Sequence, residues 1–178
     1  MIYKISTGYL IFACLLFNSA YSYATGTYQM PDEFVRTAFK QQTPEAKIIW
    51  IKDKLRNQVE NILQHKHAVK RVRYWIKGHR SVWILDEVGK KKPITAGFII
   101  DENKISEVKV LIFRETRGWE VKYPFFTRQF KQLHLTEDNI LSQSIDGISG
   151  ATLSVRALKK LARIALLLNK EIHRNDPS

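Results

Sequence analysis

The sequence predicts an α+β fold, an antiparallel sheet packed with helices. Three observations predict it. From Val69 onward, apolar residues alternate with others in short runs that fit strands half-exposed on one face. Turn-forming clusters at Lys77-Gly78-His79-Arg80, Gly89 to Pro93 and Asp101 to Lys104 separate those runs at hairpin spacing. The chain then closes on a stretch, Leu153 to Asn169, whose apolar residues recur with helical periodicity.

Residues 1–24 read as a signal segment that does not belong to the fold. Met1 and Lys4 make a short basic start, Leu10 to Phe17 form an almost unbroken apolar run, and Ser22-Tyr23-Ala24 has the small-x-small form of a cleavage site. The run is short for a membrane span, so the expectation is an exported, periplasmic protein; an uncleaved segment would leave it membrane-associated. Cys14 is the chain's single cysteine and lies inside the run, as a weak match to a lipoprotein cleavage box. Cleavage would leave no cysteine, and with it no disulfide, thiolate metal site or cysteine nucleophile. Redox chemistry would then need a cofactor.

Residues 25–68 read as an N-terminal helical segment. Asp32 to Gln42 carries helical patterning, and Thr43 to His65 opens with Thr43-Pro44-Glu45 in the order of cap, first-turn proline and acidic first turn. Ile48-Ile49-Trp50-Ile51 fits equally a short strand ahead of a helix from Asp53, because periodicity does not separate the two in so short a run. Residues 69–170 form the main domain. Val72, Tyr74 and Ile76 pair across a turn with Val82 and Ile84, and Ile94 to Ile100 pairs across another with Ile105 to Phe113, giving four or more strands. In the closing helix Val155, Leu158, Leu161, Ala162, Ala165 and Leu168 make the core face. Residues 171–178 are a polar tail expected to fray.

The charge narrows the partners. Twenty-nine basic residues against 17 acidic ones give +12, and cleavage would remove only Lys4 from that balance. In an exported protein such a charge suits an anionic lipid surface, an acidic redox partner or a phosphate-bearing cofactor better than nucleic acid. Arg156, Lys159, Lys160 and Arg163 share one face of the closing helix, either as a solvated stripe or as a dock for an acidic partner.

The chemistry concentrates in Asp146-Gly147-Ile148-Ser149-Gly150-Ala151-Thr152, directly before that helix. Two glycines among small and hydroxylated residues let the backbone approach a ligand, and a helix starting there points free N–H groups and its positive dipole end outward, which favours a phosphate. Ser149-Gly150 alone would be no more than a cap. The full pattern, Asp-x-x-Ser/Thr-Gly-Ala-Thr, fixes five positions and arises by chance in fewer than about one in a thousand chains of this length.

That pattern is the recognition motif of FAD:protein FMN transferases, and here the sequence resembles the FMN-binding domain family, which includes flavin subunits of the sodium-translocating NADH:quinone reductase and of the Rnf complex. The likeness runs from Tyr74 to Leu168. It includes Ile94-Thr95-Ala96-Gly97-Phe98, a Glu115-Thr116-Arg117-Gly118 turn similar to the family's Glu-Thr-x-Gly, and Phe126 to Phe130 with Arg128-Gln129. The residues after that turn, Trp119-Glu120, depart from the small or apolar residue and glycine common in the family.

The resemblance implies covalent FMN, joined as a phosphodiester to the Thr152 side-chain oxygen. In that transfer the hydroxyl attacks the FMN-side phosphorus of FAD and AMP leaves, so serine could replace threonine but alanine could not. It implies cofactor contacts from Ser149, Gly150, Ala151, Leu153 and Ser154 around the attachment point, and from Glu115, Thr116 and Gly118 against the flavin ring. Trp119 would either stack on the ring or fill the core. Asp146 is assigned to recognition by the transferase, since a carboxylate beside a phosphate is repelled.

The function so implied is an exported electron carrier in a membrane-associated redox chain, matured by the transferase and serving a membrane or soluble redox partner of acidic character. The competing readings are a basic module that binds anionic lipid or another polyanion without redox chemistry, and a small flavin-dependent reductase. No metal is expected: His65 and His67 flank a lysine and point apart. Gly147-Ile148-Ser149-Gly150 lacks the spacing of a hydrolase nucleophile elbow, and phosphate-loop and dinucleotide fingerprints are missing.

Overall fold

A computed structural model of the chain describes residues 26–175. Six strands form one antiparallel sheet: β1 (Gly26–Thr27), β2 (Lys47–Trp50), β3 (Arg71–Lys77), β4 (Arg80–Val88), β5 (Pro93–Asp101) and β6 (Lys104–Phe113), in the order β1-β6-β5-β4-β3-β2. The helices are α1 (Pro31–Ala38), α2 (Asp53–Leu63), the short α3 (Pro124–Thr127) and the closing α4 (Thr152–Asn175). The α+β class and the strand-turn-strand units expected from the sequence are present. The signal segment lies outside the described residues.

The turns carry the backbone geometry that tight hairpins demand. Gly78, at φ +59°, joins β3 to β4, and Glu102 and Asn103, at φ +48° and +64°, join β5 to β6. Two consecutive left-handed residues match the strand twist of a two-residue hairpin.

Strand alternation builds two cores. Trp83, Leu85, Ile94, Ala96, Phe98, Ile100, Val110 and Phe113 face the larger one, where α2 and α4 pack. Val82, Ile99 and Leu111 face the smaller one, under Phe34, Val35, Ala38 and Phe39 of α1. Consequently β5 is buried from Ile94 to Ile100 on both faces. Gly97 makes room for α1, since a Cβ there would stand 2.4 Å from the Phe34 ring.

Three elements differ from the sequence expectation. No helix opens at Thr43-Pro44; of the two readings of this stretch the strand followed by a helix from Asp53 is the one observed, with residues 47–50 as β2. The reason is long-range, because β3 offers a free edge that pairs Lys47 with Tyr74 and Trp50 with Arg71, and only Ile49 of β2 turns into the core. Helix α1 stops at Ala38, short of Gln42, with Lys40 and Gln41 in left-handed backbone behind it. Helix α4 continues beyond Asn169 to Asn175, into the expected tail. Asn169 is itself fully buried: its Oδ1 accepts the Ser81 hydroxyl at 2.6 Å and its Nδ2 donates to Asn103 Oδ1 at 2.9 Å, while Trp83 Nε1 donates to Ser81 Oγ at 2.8 Å. This satisfied network fixes α4 on the sheet.

The connection from β6 to α4 wraps one end of the sheet. Phe126 and Phe130 bury edge-to-face at 5.5 Å, and the amide of Gln132 and carbonyl of Leu133 bond the backbone of Ile105. That return places residues 146–152 beside the turn that follows β6.

Candidate functional site

Helix α4 begins where Gly150, at φ +81°, turns the chain and the buried Ala151 seats it. The Ala151 amide donates to the Ile148 carbonyl at 3.0 Å, and the Ala151 carbonyl accepts from Val155 at 2.9 Å. The amides of Thr152, Leu153 and Ser154 therefore belong to the first turn, which has no carbonyls behind it to bond. Ser149, Gly150 and Thr152 are exposed and Leu153 is 37% exposed, whereas Ala151 and Ser154 turn inward.

What Ser154 turns toward is the Glu115-Thr116-Arg117-Gly118 turn. Gly118 adopts φ +83°, and a Cβ on it would stand 2.5 Å from Ser154 Oγ and 3.4 Å from Ala151 Cα. Two segments far apart in sequence thus share one surface, with Thr116 and Arg117 exposed beside the helix start. Glu115 is directed elsewhere. Its Oε1 accepts the amides of Lys90, Lys91 and Lys92 at 2.6, 2.5 and 2.8 Å, closing the β4–β5 turn. Burial alone would raise the Glu115 carboxyl; these amides, with the Lys92 charge, hold it below the ordinary carboxylate value.

Asp146 is exposed, and its backbone amide donates to Gln129 Oε1 at 2.7 Å. Gln129 therefore positions the start of the motif, and the carboxylate is left to solvent. Trp119 is partly buried against the main core and meets Tyr123 edge-on at 5.6 Å.

On its other side Thr152 borders a cleft of about 700 Å³. Ile62 of α2, Ile140 and Leu141 of the connection and Val155 of α4 supply apolar walls, while Arg156, Lys159, Lys160 and Arg163 run along the helix side. The structure divides that basic stripe. Lys160 Nζ donates to the Leu63 carbonyl at 2.5 Å and pairs with the buried Glu87 at 3.2 Å, and Arg163 Nε donates to the Asn139 carbonyl at 2.7 Å. Arg156 and Lys159 form no ion pair or hydrogen bond with any described residue. They stand one and two turns from Thr152, so positions 152, 156 and 159 share a helix face. Helical spacing alone could have linked Arg156 and Lys159 to Thr152; the cleft's Ile140 and Leu141 walls had no signal in the sequence.

Glu87, the partner of Lys160, also meets His65. The imidazole Nε2 lies 3.2 Å from the carboxylate and Nδ1 lies 3.0 Å from the Lys66 carbonyl. With acceptors at both nitrogens the imidazolium is favoured: the Lys66 carbonyl is the largest influence, partial burial opposes it, and Glu87 adds to the rise above the ordinary histidine value.

The exposed hydroxyl at a helix start, the free cations beside it and an apolar-walled cleft suit a ligand with a phosphate and a flat apolar portion. Residues 89–167 match the family model described as FMN-binding domain. No curated protein and no solved structure matches the chain significantly.

Proposed function

Since the chain carries an FMN-binding domain and is a flavin-binding protein, we propose that it holds FMN covalently through Thr152 and serves as an exported electron carrier in a membrane-associated redox chain. The observation that carries the attachment is the placement of Thr152: exposed, first in α4, and on the cleft face with two unpaired cations.

In this reading a FAD:protein FMN transferase reaches the Asp146 to Thr152 loop from solvent. Thr152 Oγ forms the bond to the FMN-side phosphorus of FAD, the phosphoanhydride bond to AMP breaks, and the hydroxyl proton leaves to the transferase. Asp146 supplies a carboxylate for recognition, held in place through Gln129. The first-turn amides of α4 and the Arg156 guanidinium would hold the phosphodiester's negative charge, and Lys159 would extend that field into the cleft. The apolar walls of the cleft would take a flat ring if it turned to that side, and Thr116 and the Gly118 backbone would contact it if it lay on the other side of the attachment point. FMN, when bound, supplies transfer of one or two electrons. A covalent tether suits an exported carrier, since a dissociated cofactor would be lost by dilution. The positive field speeds encounter with an acidic partner and makes transfer fall with rising salt.

The test is to coexpress the protein with an FMN transferase, denature it, and look for flavin fluorescence on the gel together with an intact-mass gain of FMN less water. Labelled wild type supports covalent attachment. Unlabelled wild type, alongside a standard substrate of the transferase that is labelled, overturns it.

A further inference from the structure

One face of the sheet is covered by α1 over its centre and left open toward the β2 edge among the described residues. Helix α1 lies over β4 and β5 through Phe34 on Gly97 and reaches β3 at Trp75, while its first residues, Pro31 and Asp32, only border the groove beside Ile48, Arg71 and Arg73. Register places Ile48 opposite Arg73 and Trp50 opposite Arg71, so these four side chains share the open face, with Trp75 two residues beyond Arg73. Ile49, between the two apolar residues, is buried on the opposite side.

That face is apolar and cationic together. Ile48 is 49% and Trp50 52% exposed. Arg71 and Arg73 are exposed and make no ion pair or hydrogen bond with any described residue. A shallow groove of about 400 Å³ runs between Ile48, Arg71, Arg73, Trp75 and Ile84, with Asp32 of α1 as its one acidic side chain. Lys52 extends the positive edge, its Nζ 5.4 Å from the Trp50 ring.

We propose that this Trp50–Arg71–Arg73 face docks the protein onto an anionic phospholipid surface. Indole side chains settle at headgroup depth, where one edge is wet and the ring is not. Guanidiniums take phosphate oxygens two at a time, and unpaired ones give up no existing partner on docking. The chain's charge of +12 adds a long-range attraction to the same surface. An acidic protein would satisfy the arginines yet leave Trp50 and Ile48 in need of a matching apolar surface. A lipid bilayer offers both at once. The face is independent of Thr152 and does not rest on the flavin reading.

The test is co-sedimentation of the full chain with vesicles of phosphatidylglycerol and phosphatidylcholine, against vesicles of phosphatidylcholine alone. The expected result is at least a tenfold preference for the anionic vesicles, with a blue shift of tryptophan emission. The pair Arg71→Glu/Arg73→Glu should cut that preference at least fivefold and Trp50→Ala should remove most of the blue shift. Arg128→Glu/Lys131→Glu, which makes the same change of net charge elsewhere, should retain most of the preference. Thr152→Ala should bind vesicles as the wild type does, whatever becomes of flavin attachment. Equal loss in both charge-reversed pairs would reduce the effect to net charge and overturn the proposal. Self-association without vesicles that depends on Trp50 would assign the face to a second copy and overturn it as well. Circular dichroism of each variant separates these results from unfolding.

Discussion

Gly118 lies directly against Ser154, so closely that a Cβ on the glycine would stand 2.5 Å from the serine Oγ. This contact joins the turn after β6 to the first turn of α4 and fixes both beside Thr152. Gly118→Ala would add that clash to a left-handed φ of +83°, at an expected cost of about 1–3 kcal/mol. Ser154→Ala in the same chain should recover part of the loss by removing the oxygen, while the backbone strain stays. Urea unfolding of both single variants and the double variant measures the coupling, and strict additivity would show that the two residues do not touch.

Glu115 should act as a pH-dependent clamp. Its carboxyl sits below the ordinary value when folded, so its contribution is present above the unfolded carboxylate pKa and is lost as pH falls through the lower folded value. Glu115→Gln should be less stable than wild type at pH 7 by roughly 2 kcal/mol, as expected for hydrogen bonds to a charged acceptor. The two stability curves should converge in acid, where the wild-type carboxyl is protonated too. Urea midpoints at pH 7 and pH 3 test this.

His65 should show the opposite sign. Its folded pKa is raised, so its contribution is full below the unfolded histidine value and is lost as pH rises through the folded one. Glu87→Gln should lower the His65 pKa in an NMR titration without restoring the ordinary value, because the Lys66 carbonyl remains on Nδ1. The same substitution removes the charge partner of the part-buried Lys160, for an expected loss of about 3 kcal/mol.

On the other face of the sheet, Gly97→Ala should displace Phe34, whose ring would lie 2.4 Å from the new methyl. Overpacking of this kind costs about 1–3 kcal/mol. The cost should be smaller in a Phe34→Leu background, where the ring edge is gone, and thermal melts of the four chains would show it.

Local chemistry made the hairpins and the start of α4 legible in the sequence. Gly78 and the Glu102-Asn103 pair mark their turns by residue type, and the small residues before Thr152 mark the helix start. Where pairing comes from far away, local pattern left the choice between strand and helix open. Ile48 to Trp50 form a strand because Arg71 to Tyr74 offer an edge, and the preceding Thr43-Pro44-Glu45 had the form of a helix cap. The site followed the same division. Thr152 was visible as a motif, but the Gly118–Ser154 contact and the Glu115 clamp on Lys90 to Lys92 depend on the folded chain. So does the division of the basic stripe into two bound side chains and two free ones, because Glu87, Leu63 and Asn139 supply the partners.

The position of the flavin on the chain tests covalent attachment at Thr152 most directly. After coexpression with the transferase, the protein is digested and the peptide spanning Asp146 to Thr152 is sequenced by tandem mass spectrometry, beside Thr152→Ala and Thr152→Ser. A mass gain of FMN less water is expected on Thr152 in the wild type, with retention on the serine variant and loss in the alanine variant with the fold intact. A flavin found on any other residue, or one that persists in Thr152→Ala, would contradict it.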